Sequence, residues 1–220
     1  MIQYHMIVTI DVVLLTLRGK HLQVVLLKRV RDPFKGRFAL PGAYIRPEQD
    51  ADALDAAHRM LLQKTGITSP YLEQLYTFSG DSRDPRGWSI SITHYALLDS
   101  DTLMKNAKEG VVLMPIDALP GLPFDHNRII EAAANRLRDK SSYSTLPCYL
   151  LPKEFTLAEL QKTYEVVLGV RLDKSQFRRR VAEWNFIEEI SGSVKGGTHR
   201  PAQLYRVGTS RSLELFDRSV

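Results

Sequence analysis

The sequence predicts a two-domain α/β (α+β) protein, a layered domain of mixed strands and helices followed by a small domain of two helices and a β-hairpin. Three observations predict it. Strands and amphipathic helices alternate up to about residue 140, as in layered α/β domains. A short polar stretch, Ser141-Ser142-Tyr143-Ser144-Thr145, then reads as a boundary. Beyond it the order changes to helix, turn, helix, strand, basic glycine-rich loop, strand. The expected division is residues 1–140, a linker at 141–147, a second domain at 148–210 and a tail at 211–220.

The first element is a β-hairpin: apolar runs Ile7 to Leu15 and Leu22 to Leu27 flank the break Arg18-Gly19-Lys20. Asp32-Pro33 and Lys35-Gly36 mark a loop. Phe38-Ala39-Leu40-Pro41-Gly42 is a short strand ending in a turn. From Asp52 to Lys64 the apolar Leu54, Ala57, Leu61 and Leu62 fall near helical spacing, and Gly66 stands where a helix C-cap belongs. Leu72 to Phe78 and Ser89 to Leu97 are strands around a polar loop, Gly80 to Gly87, and Val111 to Ile116 is another. Asp125 to Lys140 is an amphipathic helix with Ile129, Ile130, Ala133 and Leu137 on its apolar face and basic residues in its last turn. In the second domain Thr156 with Glu159 forms a capping box that opens a helix to about Leu168, closed by Gly169. Asp173 with Gln176 opens a second helix to about Trp184. Phe186 to Ile190 and Gln203 to Val207 are strand-like around the loop Ser191 to Arg200, and the whole order is that of a winged helix.

Composition narrows the function classes. The 220 residues are 44% hydrophobic and 25% charged, ordinary for a globular chain. No apolar run reaches the roughly 18 residues of a membrane span. Met1 to Asp11 has neither a basic n-region nor a small-residue cleavage site, so no signal peptide is expected. The single cysteine, Cys148, excludes an internal disulfide and a Cys-rich zinc site and suits a reducing cytoplasm. Flanked by Pro147 and Tyr149, it is expected to be buried. The net charge of +5 favours a polyanionic partner, and the densest cationic cluster, Lys174 to Arg180, lies in the second domain.

Leu40-Pro41-Gly42 and Glu48, then Arg59, Leu61, Gly66 and Ile67, resemble the two ends of the Nudix signature, a strand-loop-helix whose carboxylates hold Mg²⁺ against a diphosphate. The intervening segment is two or three residues longer than the signature, according to whether Glu48 or Gln49 is taken as its first acid. The three helix carboxylates must share one helical face, at spacing i, i+3, i+4. Those positions hold Met60, Gln63 and Lys64: a thioether, a neutral amide and a cation. A hard cation would lose its ligands there and meet a like charge. Neither Nudix hydrolysis nor a catalytic Mg²⁺ is therefore expected. Asp50, Asp52 or Asp55 could supply oxygens only from a shifted register.

The Nudix-like box, the loop Asp84-Pro85-Arg86-Gly87, the turn Pro123-Phe124-Asp125-His126 and the C-terminal stretch Pro152 to Arg206 with Gly196-Gly197-Thr198-His199-Arg200-Pro201 together resemble one subgroup, the Nudix-related transcriptional regulators of NAD metabolism. The likeness spans roughly residues 5 to 207, with Ala43 departing where the family usually has a second Gly. It implies an α/β/α Nudix sandwich followed by a winged helix-turn-helix, in a dimeric repressor of NAD synthesis or salvage genes. ADP-ribose or a related phosphoribosyl nucleotide in the Nudix pocket would release DNA. Some relatives instead regulate sugar utilisation, and a few keep hydrolase activity. On this reading Gly42, Arg29, Arg37 and Arg46 flank the pocket, where a guanidinium fork suits a diphosphate or a carboxylate and a solvated loop charge is the alternative. Lys64 either neutralises a diphosphate in place of Mg²⁺ or is a surface lysine. Arg86 and Trp88 could contact ribose and adenine, with Trp88 alternatively a core residue. His58 reads as surface and His126 as helix-start structure.

In the second domain Phe177, Val181 and Trp184 recur at i, i+4, i+7 and face the core. Ser175, Arg178, Arg179 and Ala182 then turn outward, flanked by Lys174 and Arg180, with Gln176 in the first turn. Such a face suits the major groove of double-stranded DNA, and Arg suits guanine edges and phosphates. Lys195, Thr198, His199 and Arg200 make the wing cationic. One winged helix covers only a few base pairs, so a homodimer on a palindromic operator is expected. An active ADP-ribose-type pyrophosphatase and a protein-binding adaptor are the competing classes. The carboxylate positions speak against the first, and the basic helix and wing against the second.

Overall fold

The computed structural model describes residues 6–196, 201–208, 213 and 215. The first domain is built on β1 (Ile7–Arg18), which returns through Gly19, in the left-handed region, to β2 (His21–Lys28). Short β3 (Phe38–Ala39) pairs β2, and β4 (Gly42–Tyr44) pairs β1. Helix α1 (Ala53–Thr65) precedes β5 (Tyr71–Gly80) and β6 (Ser89–Leu97). Then come α2 (Ser100–Asn106), β7 (Val111–Pro115) on β2, and α3 (His126–Ser141). The sheet order is β3-β2-β1-β6-β5, with β1 and β6 parallel.

β1 is buried on both faces, and its alternation sorts the layers. Ile10, Val12 and Leu14 pack with Ala56, Ala57, Met60 and Leu61 of α1 and Leu103 of α2. Val13 and Leu15 pack with Ile129, Ile130, Ala133 and Leu137 of α3. The result is the α/β/α sandwich expected. Asp52 caps α1 by accepting from Asp55 N at 2.8 Å, and Gly66 closes it at φ 77°. Helix α2 was not foreseen. Leu103 is its one buried side chain, too little for an apolar period, and only its N-cap Asp99 signals it.

The second domain is β8 (Phe155–Thr156), α4 (Leu157–Leu168), α5 (Lys174–Val181), β9 (Ile187–Lys195) and β10 (Ala202–Val207), with sheet order β8-β10-β9. The Thr156–Glu159 capping box and the Gly169 cap form as expected. Gln161 and Glu165, one turn apart on α4, hold the carbonyl (2.9 Å) and the N–H (3.0 Å) of Leu172, which fixes the turn into α5.

Three expectations are corrected. Residues 141–145 are no exposed linker. α3 runs through Ser141, and Ser141, Ser144 and Thr145 are buried. Small hydroxyls can fold back onto a helix end: Ser141 and Ser144 each donate to a carbonyl one turn earlier at 2.6 Å. The 3₁₀ turn Leu146–Leu150 behind them is wholly buried, and one apolar cluster runs from α3 through Leu146, Tyr149 and Leu150 to Leu160, Phe177 and Phe186. The two domains thus share a core. Secondly, α5 ends at Val181, not Trp184; Glu183 and Trp184 donate to carbonyls three residues back, a tightened turn that still lets Trp184 reach Tyr164 and Phe177. Thirdly, half of the loop expected at Ser191 to Arg200 is strand. Gly192, at φ 72°, bends β9, and the Gln203 amide staples the irregular register by donating to Ile190 O and Ser193 O.

Candidate ligand site and nucleic-acid interface

The helix positions that carry metal ligands in the Nudix signature are occupied differently here. Met60 is 1% exposed inside the apolar core. The Gln63 amide oxygen accepts from Arg59 at 3.4 Å. Lys64 is exposed in the last turn of α1, and the Lys108 ammonium donates to the Gln63 carbonyl at 2.9 Å. The carboxylates that could have served from a shifted register are also engaged. Asp52 caps the helix, Asp55 accepts from Ala51 N at 3.1 Å, and Asp50 receives Arg59 through Nε (2.5 Å) and Nη2 (2.7 Å). These hydrogen bonds bring Asp50 down to about pKa 2. Asp50, rather than Glu48 or Gln49, is therefore the acid of the lengthened box; Glu48 and Gln49 are exposed. A thioether, an amide and an ammonium do not fit Mg²⁺.

The arginines gather elsewhere, where the strands meet the N-terminal end of α3. Arg83 donates to both Asp125 oxygens (3.1 and 2.8 Å) and to Ser89 Oγ at 3.1 Å. Asp11 accepts from Ser91 Oγ at 2.6 Å and lies 4.0 Å from Arg83 Nη2 and 3.8 Å from His126 Nε2. His126 is buried and its Nδ1 accepts from Leu40 N at 3.0 Å; burial lowers its pKa, so the ring is neutral with its proton on Nε2. Gly42 lies directly against Asp11, leaving no room for a Cβ. Asp84 is buried, and although burial alone would raise its pKa, the bonds from Arg86 hold it down. Arg86 also donates to the Tyr44 hydroxyl, with its guanidinium 5.6 Å from that ring.

Arg29 is half-buried over the Phe124 ring at 4.8 Å and donates to the Pro33 carbonyl at 2.7 Å; burial and the nearby Arg86 charge lower its pKa. Arg37 donates to the Gly121 carbonyl. Phe34 and Phe124, edge to face at 5.1 Å, both have positive φ (64° and 57°), a conformation bulky residues adopt at some cost and that clusters at functional sites. Four guanidiniums (Arg29, Arg37, Arg83, Arg86) thus stand against three carboxylates (Asp11, Asp84, Asp125), and Arg29 and Arg37 spend their donors on backbone carbonyls. Guanidinium forks of this kind are chemically suited to phosphate or carboxylate groups.

Of the residues singled out in the sequence, Arg29, Arg37, Arg86 and Gly42 converge here. Arg46 is exposed and hydrogen-bonded to Gln49, while its backbone N–H serves Asp50. Trp88 is 44% exposed, not a core residue, with its carbonyl taken by Ile7 N. Lys64 has no contact to the arginine set among the described residues. The sequence reading missed Asp11, Tyr44, Arg83, Asp84 and Asp125. A lone acid inside the apolar run of β1 was a signal for Asp11; Arg83 and Asp125 meet across 42 residues, as do Tyr44 and Arg86, whereas Asp84 pairs with Arg86 only two positions on, inside the loop the sequence had already marked.

On the second domain α5 presents a polar solvent face. Phe177 and Val181 are buried, and Lys174, Ser175, Gln176, Arg178 and Arg179 are exposed. Arg180 is half-buried, on the side toward Tyr164 of α4. Lys195 departs from expectation: it closes β9 and pairs with Glu159 at 2.6 Å, because the capping carboxylate at the start of α4 is within its reach. Thr198, His199 and Arg200 lie outside the described residues.

A Nudix-fold domain packed onto a winged helix with a cationic helix defines the class: a DNA-binding regulator built on a Nudix fold. Residues 147–207 match the NrtR DNA-binding winged helix domain and residues 7–133 the NUDIX domain. The chain is 41% identical over 205 residues to the ADPR responsive transcriptional repressor NtrR of Acinetobacter baylyi, covering 91% of this chain and 81% of that protein. It superposes on the crystal structure of Shewanella oneidensis NrtR complexed with a 27mer DNA with TM-score 0.86 at 35% identity, covering 93% of this chain and 94% of the other. The NUDIX domain of that protein complexed with ADP ribose matches at TM-score 0.55 and 34% identity, over 61% of this chain and 90% of the other. The chain belongs to the NrtR family of Nudix-related transcriptional regulators. None of the described helices is long and apolar enough to cross a membrane.

Proposed function

We propose that this chain represses genes of NAD synthesis or salvage as a homodimer on a palindromic operator, and that ADP-ribose or a related phosphoribosyl nucleotide, held by Arg29, Arg37 and Arg86, releases it from DNA. The observation that carries the reading is the presence in one chain of an arginine-lined site, a Nudix helix whose metal-ligand positions hold Met60, Gln63 and Lys64, and a winged helix whose α5 exposes Lys174, Gln176, Arg178 and Arg179. The relatives that respond to or bind ADP-ribose support the effector. Lys174, Arg178 and Arg179 supply the phosphate and guanine contacts, with Ser175 and Gln176 at base edges. Lys195, Thr198, His199 and Arg200 provide the wing's charge, Lys195 by exchanging Glu159 for a phosphate. The dimer follows from operator length, since one winged helix reads too few base pairs to find a unique site. The protein works in the cytoplasm, with its cysteine buried.

The test is fluorescence anisotropy on operator DNA titrated with ADP-ribose. Affinity should fall by about 5- to 150-fold at saturation, the usual range of allosteric coupling. Arg178→Ala and Arg179→Ala should weaken DNA binding and leave ADP-ribose binding intact. Unchanged DNA affinity at saturating ADP-ribose would refute the effector, and a panel of NAD precursors and phosphorylated sugars would then identify the true one.

A further inference from the structure

Two elements span the first domain between the arginine site and the winged helix, running in opposite directions. Helix α3 starts at the site with Asp125 and His126 and ends at the junction with Lys140 and Ser141. At 1.5 Å per residue its sixteen residues extend about 24 Å. Strand β5 starts at the junction with Tyr71 and leads, after Gly80, into the loop that carries Arg83, Asp84 and Arg86.

The two are braced together at both ends. At the site, the brace is the bidentate Arg83–Asp125 pair. At the junction it is Glu73. Its carboxylate accepts from Lys140 Nζ at 2.5 Å, from Arg136 at 3.4 Å, from the Tyr95 hydroxyl at 3.3 Å and from the Tyr71 hydroxyl. Arg136 also takes the carbonyl of Leu75, where the register of β5 on β6 shifts. Although burial alone would raise the pKa of Glu73, the bonds from Lys140 and Tyr71 hold it below the ordinary value, so the brace is ionic. The winged helix is mounted on this lower brace: the Tyr71 ring packs at 5.0 Å on Tyr149, and Tyr149 at 6.0 Å on Phe186, which leads into β9. No other described contact of Glu73 serves the ligand site or the DNA face, and a charged cluster is a costly way to fill a junction that apolar residues could fill.

We propose that Glu73, with Lys140, is the positioning pair through which occupancy of the arginine site changes the placement of the winged helix. The inference rests on the ligand-sensing reading above. A diphosphate held beside Arg83 that draws on its guanidinium loosens or shifts the upper brace, and α3 and β5 carry the displacement to Tyr149. Glu73 then sets how much of it arrives. Coupling needs an element whose two arrangements the ligand binds unequally, and a pair of elements braced by ion pairs at both ends links the two sites physically.

The experiment compares the parent with Glu73→Gln, Lys140→Gln and Lys140→Arg in the full chain. Calorimetry gives ADP-ribose affinity, and anisotropy gives operator affinity with and without saturating ADP-ribose. The expected result is that Glu73→Gln and Lys140→Gln bind ADP-ribose within about threefold of the parent, yet lose most of the ligand-induced fall in DNA affinity, and that Lys140→Arg restores it. Two results overturn the proposal. One is a parent that responds with both Gln variants responding equally. The other is variants whose ligand and DNA affinities drop while the ratio between liganded and free states stays at the parent value, the signature of a merely structural role. A parent that binds ADP-ribose without any change in DNA affinity would refute the sensor reading itself, and this inference with it. Should Glu73→Gln fail to fold, as judged by thermal unfolding, Lys140→Gln carries the test alone.

Discussion

Gly42→Ala is the substitution whose effect follows most directly from the geometry. Gly42 pairs with Asp11 across β4 and β1, and a methyl group there would point into the Asp11 carboxylate and stand 3.2 Å from the Ile10 carbonyl oxygen. The Ile10 carbonyl belongs to the central strand and cannot yield, so Asp11 must turn away. Turning it breaks the 2.6 Å bond from Ser91, a charge-assisted bond worth about 1.5–3 kcal/mol, and disturbs the Arg83 and His126 contacts. Overpacking of a dense site by one methyl group costs a similar amount, about 1–3 kcal/mol. We therefore expect a loss of about 2–3 kcal/mol, or roughly 4–12 °C in Tm for a chain of this size. Because Asp11 and Arg83 belong to the same network, ADP-ribose affinity should fall about tenfold or more, an effect of about 1.4 kcal/mol. Gly121→Ala is the control. It lies at the rim of the same site, but its Cβ would meet nothing within 4 Å, so it should be neutral or slightly stabilising. Differential scanning calorimetry and titration calorimetry read both quantities. A Gly42→Ala protein that melts within about 1 °C of the parent and binds ADP-ribose equally would refute the reasoning.

The remaining expectations concern chemistry, acid stability and capping. With Met60, Gln63 and Lys64 on the old metal face, ADP-ribose incubated with millimolar Mg²⁺ should release no AMP above background; robust metal-dependent release would restore the hydrolase reading. Asp50 sits at about pKa 2 in the fold, chiefly through its side-chain bond from Arg59, and near 3.9 when unfolded. Its contribution is therefore complete above about pH 4 and disappears as pH falls through about 2, and Asp50→Asn should flatten that part of the urea-midpoint profile between pH 6 and 2. Thr156→Ala removes half of a capping box and should cost about 0.5–2 kcal/mol by urea unfolding.

How far the fold could be read in advance depended on the range of the forces involved. The hairpin at Gly19, the caps at Gly66, Thr156, Gly169 and Asp173, and the polar face of α5 all arise from residues within a turn or two of one another. Backbone stereochemistry and apolar periodicity display these directly in the chain. The altered metal face was equally plain, because the resemblance to the Nudix signature assigns the ligand positions to Met60, Gln63 and Lys64, and helical spacing places them together. Other features needed the folded molecule. Asp50, not Glu48 or Gln49, answers Arg59, since only the path of the loop from Tyr44 to Asp50 decides which acid is in reach. Asp11 meets Ser91 across 80 positions, Arg83 meets Asp125 across 42, and Lys140 meets Glu73 across 67. Likewise, the polar composition of residues 141–145 described their chemistry and not their burial, because a hydroxyl that can bond back to its own helix is as content inside as outside. Local chemistry thus determined most of the elements, α2 excepted, and the resemblance carried by the motifs indicated the class of protein. Only tertiary contact decided which charges pair, that Lys195 closes on Glu159, and that the sensor and the DNA-binding domain share one core, because electrostatic and packing energies depend on distances in space that chain order does not contain.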